Sequence, residues 1–523
     1  MILAEKIVLS LFFGGVFLLF LQLYDALLLK PRSRRLKLQI QGIKGPIPSL
    51  MYGNIAELKR IQLQKRPTGV SVEDNQFGGR SVVEHAWTSA VFPHIEQWRR
   101  EYGPTFMYST GNIQLLCVTD LEMVKEISLC TSWSLGKPSY LSTELGPLLG
   151  RGILSSNGHY WDMQRKIISP EFYLERVKGF VTMMAESTST MLKTWESKAE
   201  TWGGKVEIRV DEDLRSLSAD IISRSCFGSN YAEGEKIFTK LQTLQMVMSK
   251  GNIGIPGLRY LPNRHNREIW KLEKEIGSTI LGLVERRSED TCGKDLLQLI
   301  LSAAKSYGDN SNLPADITPN KFIVDNCKNI YFAGHETTAI SASWCLMLLA
   351  AHPEWQARAR AEVLEICGMR LPAADTLRSL KTLTMVILET LRLYPPVAYV
   401  VREALQDVIF KGIHVPKGVN IQIPIPILHQ DPDLWHSDVH QFNPERFAGG
   451  IAGACKIRQA YMPFGLGSRT CAGQHFAMAE LKVILSLILS KFSFSLSLAY
   501  QHSPISRLVI KPEHGVNLHF EKL

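Results

Sequence analysis

A cysteine in a glycine-rich segment near the end of the chain is the residue best suited to chemistry. Residues 464–473 read FGLGSRTCAG, and Cys471 stands just before a stretch with a helical pattern. Unpaired N–H groups and the dipole at a helix N-terminus stabilise a thiolate, and Arg469 adds a positive charge nearby. The glycines allow tight backbone turns close to a planar ligand. A thiolate in this setting can be the fifth ligand of a haem iron.

Other interpretations of this segment are weaker, but one of them stays open. A lone cysteine is most often a small buried apolar residue, and Cys471 taken alone is consistent with that. A nucleophile elbow requires GxSxG, whereas Ser468 is followed by Arg469 and Thr470, and the Gly-Lys-Ser or Gly-Lys-Thr ending of a phosphate loop is absent. A zinc site would need a second close cysteine or a histidine pair, which the segment also lacks.

A second pattern joins an acid and an alcohol inside a long predicted helix. The sequence AGHETT at 333–338 lies within a helical pattern at 319–351, which follows Thr318 as a predicted N-cap and spans roughly 50 Å. Threonine hydroxyls can bond to the carbonyl oxygens four residues earlier, and with Gly334 they would let the helix open locally. Taken alone, Glu336 and Thr337 are more typical of a solvated patch than of a proton relay.

A third pattern places opposite charges on one helical face. Glu389 and Arg392, in the sequence ETLR, lie three residues apart in a predicted helix at 380–393 that ends at Tyr-Pro-Pro. By itself such a pair is most often a surface ion pair of little stabilising value. Here the flanking residues are apolar, and a Pro-Glu-Arg-Phe sequence that contains Arg446 follows downstream.

Together the three patterns resemble those of the cytochrome P450 family, and they occur in the family's order. The residues of the cysteine segment that match the family's haem-binding signature are Phe464, Gly467, Arg469, Cys471 and Gly473. ETLR matches the ExxR motif, and AGHETT matches the oxygen-binding groove. The resemblance covers essentially the whole chain, and it implies haem b as the cofactor and O2 as the oxidant.

The resemblance also assigns roles to individual residues. It implies that Cys471 is the metal ligand and that Phe464 belongs to the cofactor-binding loop. Glu336 and Thr337 become the acid–alcohol pair that relays protons to the distal oxygen. The ExxR pair and the downstream arginine become a buried structural network, and His335 is predicted to be a packing residue rather than a ligand.

Cations at family positions are expected to bind the haem propionates. Trp161 and Arg165, in WDMQR, match the family's WxxxR helix. Arg402 follows the ExxR helix at the family's spacing, and Arg469 is the third cation. Guanidinium groups suit carboxylates. Considered alone, each arginine is equally consistent with an ordinary surface position.

The N-terminal segment is predicted to be an uncleaved membrane anchor. Residues 7–29 are almost wholly apolar, and as a helix they would span about 34 Å, enough to cross a bilayer. Six of the chain's nine excess positive charges follow within residues 30–44. A signal peptide carries its charge before the apolar run, whereas the positive-inside rule here keeps the rest of the chain cytosolic. The basic cluster would then contact lipid headgroups and not nucleic acid.

The organisation of the rest favours one large domain. Apolar residues make up 45% and charged residues 21%, which excludes disordered and collagen-like classes. Length alone suggests about three domains, but helical patterns dominate from about residue 84, with β patterns only near 105–119 and 398–427. We therefore predict a mainly α fold with a small β-rich region. Its parts are an anchor at 1–29, a basic linker and Pro/Gly hinge at 30–54 and a haem-thiolate monooxygenase domain at 55–523.

Electrons are expected to come from another protein. No GxGxxG follows a strand pattern, so no nicotinamide or flavin site is predicted. The resemblance implies an NADPH–haemoprotein reductase in the endoplasmic reticulum membrane, with both catalytic parts on the cytosolic side. Nine cysteines without a CxxC pair are consistent with that reducing compartment. Lys456, Arg458 and Arg469 are candidates for docking an acidic partner, although a solvated basic face explains them equally well.

The substrate is expected to be small and hydrophobic. The segments GIKGPIPS, TSWSLGKPS and RGILSSNG, together with residues 461–506, look like those of plant members that oxidise gibberellins. The implied reaction is hydroxylation or epoxidation of a tetracyclic diterpenoid, which modifies or deactivates the hormone. Oxidation of a pentacyclic triterpenoid acid stays open, as does a reductase-independent haem-thiolate isomerase or dehydratase. By family position, the predicted walls of a mostly apolar pocket are residues 141–149, 331–332, 397–401 and 503–506.

Overall fold

The structure is a computed structural model. It describes residues 2–65, 83–131, 133–228, 231–249, 258–288, 295–309, 314, 316–368 and 370–523. The polar stretch at 64–80, predicted to be a loop, lies almost wholly outside the described residues.

Helices dominate the described residues, as predicted. In chain order the α-helices are α1 (Ile2–Tyr24), α2 (Lys30–Gln39), α3 (Ile55–Lys65), α4 (Thr88–Val91), α5 (Pro93–Tyr102), α6 (Leu121–Leu129), α7 (Ser139–Thr143), α8 (Gly146–Leu149), α9 (Gly158–Ile168), α10 (Leu174–Lys178), α11 (Val181–Thr201), α12 (Val210–Phe227), α13 (Tyr231–Met248), α14 (Arg264–Ser288), α15 (Leu296–Asp309), α16 (Pro319–Ala351), α17 (Pro353–Cys367), α18 (Ala374–Ser379), α19 (Lys381–Leu393), α20 (Ile425–His429), α21 (Pro432–Trp435), α22 (Gly450–Ala454) and α23 (Gln474–Lys491).

The strands of the described residues are short and belong to four small sheets. They are β1 (Thr105–Thr110), β2 (Ile113–Val118), β3 (Leu135–Gly136), β4 (Lys205–Arg209), β5 (Tyr399–Ala404), β6 (Val408–Phe410), β7 (Ile413–Val415), β8 (Asn420–Pro424), β9 (Phe492–Leu496), β10 (Pro504–Ser506), β11 (Ile510–Pro512) and β12 (Asn517–Lys522). The largest sheet has the order β1-β2-β8-β5-β3, with β2 and β8 parallel and its other pairs antiparallel. It contains the region predicted near 105–119 and the two ends of the region predicted near 398–427, whose middle forms the separate β6-β7 sheet. The strands β3, β4 and β9 to β12 lie outside both predicted regions.

The predicted central helix has the expected limits. Thr318 caps α16 by accepting a hydrogen bond from the Lys321 N–H at 3.2 Å, and Pro319 occupies the first turn. Most of the 33 residues of α16 are buried, and the helix packs against α12, α15, α19 and α23. A helix that is apolar on nearly every face is stable only inside a large core. α16 is therefore the element around which the body is assembled.

The N-terminal helix is the one segment of the described residues that is long and apolar enough to cross a membrane. It runs as one continuous helical stretch through a π-helical turn at Asp25–Leu29 into α2, and its apolar window is not buried by the rest of the chain. A wholly exposed apolar helix is unfavourable in water, because its side chains would stay hydrated. The exposure fits a membrane anchor.

The basic segment after the span differs from the expected free linker. Residues 30–39 form α2, and α2 packs on the body: Leu38 is 1% exposed, and the Arg35 guanidinium donates to the carbonyl oxygens of Gly45 and Pro46. The Gln41 amide makes two further hydrogen bonds with the backbone of His414. Part of the basic cluster therefore bonds to protein, so the expectation that it mainly contacts lipid was incomplete.

Candidate active site

The cysteine segment is a tight loop held by its own backbone. Gly465 and Gly467 have φ values of +77° and +68°, which side chains other than glycine rarely adopt. The Cys471 N–H donates to the Phe464 carbonyl oxygen at 2.8 Å, and the Thr470 hydroxyl donates to the Gly467 carbonyl oxygen at 2.8 Å. The predicted role of the glycines in turning the backbone is thus seen directly.

Cys471 faces the interior of the molecule while staying accessible. Its side chain is exposed, yet protein atoms surround it so closely that burial raises the pKa of its thiol, against the lowering effects of the Gly473 N–H, Arg165 and Lys137. The helix α23 begins only at Gln474. The Gly473 N–H at the start of this helix favours the thiolate, as expected, but desolvation has the larger effect on the thiol pKa, and Arg469 is not among the groups that lower it. A metal ion would deprotonate the thiol through its own charge.

Four basic side chains lie within electrostatic range of one another, and two of them, Lys137 and Arg165, act on the Cys471 thiol. Burial, followed by repulsion from Arg402 and Arg469, lowers the pKa of Lys137 to about 7. Burial lowers the pKa of Arg402 to about 10, and burial with repulsion from Arg402 and Arg165 lowers that of Arg469 to about 10. Burial also lowers the pKa of Arg165, which the Cys471 charge opposes. The sequence analysis predicted the three arginines but not Lys137. The one indication of Lys137 in the sequence was its position in TSWSLGKPS, a segment that we had used only to identify the family.

Hydrogen bonds fix several of these cations in place. The Arg469 guanidinium stacks 4.0 Å from the ring of Trp161 and donates to the carbonyl oxygen of Ser156 and to Asn157 Oδ1. The same Asn157 side chain bonds to both the N–H and the carbonyl oxygen of Lys137. Asn157 thereby joins two of the cations, which sequence reasoning also missed.

Arg402 joins strand β5 to the cysteine loop. Its guanidinium donates to the carbonyl oxygens of Val401 at 2.9 Å and Leu466 at 3.2 Å. Among the described residues, none of Lys137, Arg165, Arg402 and Arg469 forms an ion pair with a carboxylate. Like charges held together in a partly buried site are unfavourable without an anion. The donor set is therefore suited to a ligand with carboxylate groups.

The ExxR pair lies at the base of this loop as a buried network. Arg392 donates to both carboxylate oxygens of Glu389 at 2.7 Å, and both side chains are fully buried. Arg446 Nε lies 3.6 Å from Glu389 Oε1, as the resemblance implied. His429 Nδ1 bonds to the Arg392 carbonyl oxygen and its Nε2 accepts from the Met462 N–H, because burial lowers its pKa to about 3 and keeps it neutral. The network thus supports the start of the cysteine segment.

The middle of α16 carries a short accessible stretch. Phe332, Ala333, Gly334 and Thr337 are partly exposed, although the helix is buried before and after them. The Thr337 hydroxyl donates to the Ala333 carbonyl oxygen at 2.8 Å. The helix is α-helical throughout, so the expected local opening is not seen as a break.

Glu336 points away from this stretch. It is 3% exposed, and its Oε2 lies 3.4 Å from Arg215 Nε on α12 and 3.6 Å from His335 Nε2. His335 is buried, bonds through Nδ1 to the Tyr331 carbonyl oxygen and packs on Phe238, in line with its predicted packing role. The acid and the alcohol thus lie next to each other in sequence while their side chains have different partners.

One predicted pocket residue lies elsewhere. Tyr331 is 1% exposed, and its ring stacks on Phe227 at 4.1 Å and meets Phe238 edge to face. It therefore fills the contact of α16 with α12 and α13 rather than lining an accessible wall.

The sequence matches the cytochrome P450 family over residues 83–520. The chain therefore belongs to the cytochrome P450 family, whose members are monooxygenases that use haem b, O2 and electrons from NADPH through a partner reductase. It is 52% identical to cytochrome P450 714C2 of Oryza sativa subsp. japonica over 511 residues, which cover 97% of this chain and 96% of that relative. It is 46% identical to cytochrome P450 714B3 of Zea mays over 528 residues, which cover 100% of this chain and 97% of that relative. It is 44% identical to cytochrome P450 714A2 of Arabidopsis thaliana over 513 residues, which cover 96% of each chain.

The residues at the site fit haem. An accessible but enclosed thiol is a suitable iron ligand, and the cations around it lack carboxylate partners among the described residues. Haem carries two propionates, which would compensate this charge. The combination of one thiol and several unpaired cations is expected of a haem-thiolate site and not of a buried structural cysteine.

Proposed function

We propose that this protein is a membrane-bound monooxygenase that inserts one oxygen atom of O2 into a gibberellin-type diterpenoid, by hydroxylation or epoxidation. The observation that carries the reaction type is the accessible Cys471 thiol close to cations that have no carboxylate partner in the part of the chain that the structure describes. The gibberellin-like segments of the sequence, and plant relatives that align over nearly the whole chain, support the substrate class. The reaction modifies or deactivates a hormone.

The roles of the site residues follow from their positions. Cys471 would provide the thiolate ligand, and Trp161, Arg165, Arg402 and Arg469, with Lys137, would hold the propionates, while Phe464 supports the cysteine backbone. Bound haem would supply the activation of O2. The network of Glu389 and Arg392 serves folding and not the reaction.

Glu336 and Thr337 are proposed to move protons. Insertion of one oxygen atom releases the second as water, which consumes two electrons and two protons. Thr337 is partly exposed on the middle of α16 and can bind a water molecule, whereas Glu336 is buried beside Arg215 and would have to turn toward Thr337 to pass it a proton. Thr337→Ala should therefore raise hydrogen peroxide formed per NADPH consumed, and Thr337→Ser should restore coupling. Unchanged peroxide yield in the alanine variant would contradict the proton role of Thr337.

Electrons are proposed to come from an NADPH–haemoprotein reductase in the endoplasmic reticulum membrane, with the body of this chain in the cytosol. Lys456 and Arg458 are exposed near the cysteine segment and suit an acidic docking surface. Arg469 does not suit it, because it is only partly exposed and its guanidinium stacks on the ring of Trp161. Of the three residues that the sequence analysis offered for docking, Lys456 and Arg458 therefore remain.

Incubation of microsomes that contain the chain and a reductase tests the function. Panels of gibberellins and of pentacyclic triterpenoid acids are supplied with NADPH, and products are identified by mass spectrometry. A mass gain of one oxygen atom on a gibberellin, dependent on NADPH, is expected. Oxygen gain only on the triterpenoid acids would overturn the substrate class. A product formed without NADPH or reductase would instead indicate an isomerase or dehydratase.

A further inference from the structure

The segment of residues 146–157 comprises α8 and the loop that leads to α9, and it ends at the cations of the site. The Arg469 guanidinium donates to the Ser156 carbonyl oxygen at 2.7 Å and to Asn157 Oδ1 at 2.9 Å. The Asn157 side chain also bonds to the backbone of Lys137. Whatever fixes the 146–157 segment therefore also fixes Arg469 and Lys137 relative to each other.

One face of α16 holds the backbone of this segment. Asn329, which is 1% exposed, donates to the Leu149 carbonyl oxygen at 2.7 Å and accepts from the Leu154 N–H at 2.8 Å. Four residues earlier on the same helical face, Asp325 accepts from the Arg151 N–H at 2.9 Å. Two side chains of α16 thus bind three backbone groups of the segment, although these residues are more than 170 positions apart in the chain.

Glycines allow the segment to approach α16 this closely. A Cβ at Gly152 would lie 2.7 Å from Asn329 Cγ, and a Cβ at Gly150 would overlap the Asp325 carboxyl group. Gly150 also has a φ of +56°, which other residues rarely adopt. The close contact with α16 is a physical reason for both glycines, which the sequence pattern alone did not explain.

Hydrogen bonds inside the segment connect the contact with α16 to the cations. The Ser156 hydroxyl donates to the Arg151 carbonyl oxygen at 2.7 Å. The Gln164 amide of α9 donates both to that carbonyl oxygen and to the Ser156 hydroxyl. The loop is therefore a bonded unit, with Asn329 near its start and Arg469 at its end.

We propose that Asn329 is a positioning residue for the anionic cofactor: it holds the 146–157 segment against α16 and thereby keeps Arg469 and Lys137 in the arrangement that binds the haem propionates. Asn329 has a neutral side chain, so it acts through hydrogen-bond geometry. Its truncation would leave two backbone groups of the segment without their partner, and the segment could find new partners only by moving from α16. The inference rests on the proposed role of the two cations and does not depend on the substrate.

The rate at which apomyoglobin extracts haem from the purified, detergent-solubilised full-length chain tests this role. We expect Asn329→Leu, a side chain of similar size without hydrogen-bonding groups, to raise the rate by roughly three- to tenfold, as the loss of one or two hydrogen bonds would. Gly152→Ala should act in the same direction, because its methyl group displaces the segment from Asn329 without removing a polar group. The two variants disturb one contact from opposite sides, so either one gives the test if the other does not fold.

The reduction potential of the bound haem is a second measurement, which a mere loss of fold stability would not move. In both variants we expect the potential to become more negative, because displaced cations compensate the negative charge of the cofactor less well. The reduced carbon-monoxide complex should keep the Soret position of the parent, since Cys471 is unchanged. Potentials equal to that of the parent in both variants would contradict the positioning role.

Asn326 provides a matched control on the same helix. It is completely buried, and its amide donates to the Phe322 carbonyl oxygen of α16 itself. Asn326→Leu is thus the same substitution on the same helix, without a hydrogen bond to the 146–157 segment to lose. It should retain haem like the parent, and an equal rise in extraction rate would show that the effect of Asn329→Leu is general damage to α16.

A double variant shows whether Asn329 acts through the segment. Asn157→Ala removes the side chain that joins Arg469 to Lys137, so it should itself speed haem extraction. In the Asn157→Ala/Asn329→Leu double variant, the rise should be smaller than the product of the two single effects, because both substitutions loosen the same cations. A rise equal to that product would mean that Asn329 acts independently of the cations.

The outcomes separate this inference from the proposals on which it rests. If Asn157→Ala retains haem as well as the parent, the inference is wrong together with the role of the two cations. If Asn157→Ala loses haem faster and neither Asn329→Leu nor Gly152→Ala does, only the positioning role of Asn329 is wrong. Oxidation of a gibberellin by the parent is measured separately and tests the proposed function alone.

Discussion

Four basic side chains from separate parts of the chain converge near the Cys471 thiol, and like charges converge stably only where an anion compensates them. Lys137 comes from the residue after β3, Arg165 from α9, Arg402 from β5 and Arg469 from the cysteine segment itself. Asn157 and Trp161 hold the guanidinium of Arg469 from two sides. At the scale of residues, the site thus combines an accessible thiol with cations suited to an anionic ligand.

Cys471→Ser should abolish the shifted Soret band of the reduced carbon-monoxide complex, because a hydroxyl does not replace a thiolate on iron. The measurement is a difference spectrum of microsomes that contain the variant. Cys455→Ser is a matched control, since the Cys455 thiol bonds only to the Ile457 carbonyl oxygen in the same region. A shifted band that persists without Cys471 would disprove the ligand assignment.

Lys137→Met should weaken haem retention several-fold, since it removes one of the cations around the thiol while keeping a side chain of similar length. The measurement is the rate at which apomyoglobin extracts haem from the purified, detergent-solubilised chain. Lys137→Arg should retain haem like the parent because the positive charge is kept. Equal extraction rates for Lys137→Met and the parent would show that Lys137 does not hold the cofactor.

At the scale of elements, α19 and α23 carry the loops of the site through buried polar groups. The bonds of Arg392 tie α19 to the segment that precedes the cysteine loop, and α23 continues directly from that loop. In α23, Glu480 is completely buried and its Oε1 accepts a 2.5 Å hydrogen bond from Ser218 of α12. Both helices thereby depend on a few polar contacts inside an apolar core.

Arg392→Ala should cost about 3–5 kcal/mol, the usual cost of leaving one partner of a buried ion pair alone. It should prevent accumulation of haem-loaded protein. Arg358→Ala is the matched control, because its pair with Glu445 is about half exposed and contributes less than about 1 kcal/mol. Urea unfolding midpoints and haem content check both variants. A fully stable Arg392→Ala variant would contradict the structural role of the network.

Glu480→Gln should change how stability depends on pH. Burial raises the pKa of Glu480 from an ordinary 4.5 to about 8, so the folded chain keeps a proton that the unfolded chain releases. The contribution of Glu480 to the parent's free energy of unfolding should therefore be most favourable below about pH 4.5, and it should be lost as the pH rises toward 8. At pH 7 the parent's free energy of unfolding is lower by on the order of 3 kcal/mol than it would be without this proton linkage. The glutamine variant does not titrate and avoids this loss.

Thermal unfolding of the parent and of Glu480→Gln between pH 5 and 8 checks this expectation. The advantage of the variant should be small at pH 5 and largest at pH 8. Glu365→Gln, at an exposed side chain of α17, should follow the parent at every pH. A constant difference between Glu480→Gln and the parent across this range would mean that Glu480 does not hold a proton in the folded chain.

At the scale of the whole molecule, the apolar N-terminal helix and the body are joined by a packed element. The helix continues without a break into α2, and α2 is bonded to the body through Arg35 and Gln41. The apolar helix therefore has a defined direction at the point where it meets the body. The division at residue 29 stays a prediction. Residues 30–39, which we expected in the linker, are helical, and Arg35 and Gln41 bond to the chain beyond them.

Two truncations test this division. A chain that starts at Lys30 keeps α2 and should yield a haem-loaded body with the parent's melting temperature. A chain that starts at Gly42 loses the buried Leu38 and the Arg35 hydrogen bonds, which should cost about 2 kcal/mol or more and lower the melting temperature. Equal stability of the two truncations would show that α2 is only a linker. Pelleting of the longer form with membranes would indicate further lipid contacts, for example near 240–262, part of which lies outside the described residues.

The sequence by itself determined the features that depend on local spacing. The cysteine segment, the ExxR helix, the limits of α16 and the apolar span can all be predicted because capping, periodicity and turn residues act over a few positions. The tertiary structure decided which side chains meet across long separations. Lys137 near Cys471, Arg215 beside Glu336, Tyr331 buried against Phe227 and α2 on the body all join residues whose sequence neighbours do not indicate the contact. The raised pKa of Cys471 has the same origin, since desolvation depends on the whole fold and outweighs the local helix N-terminus.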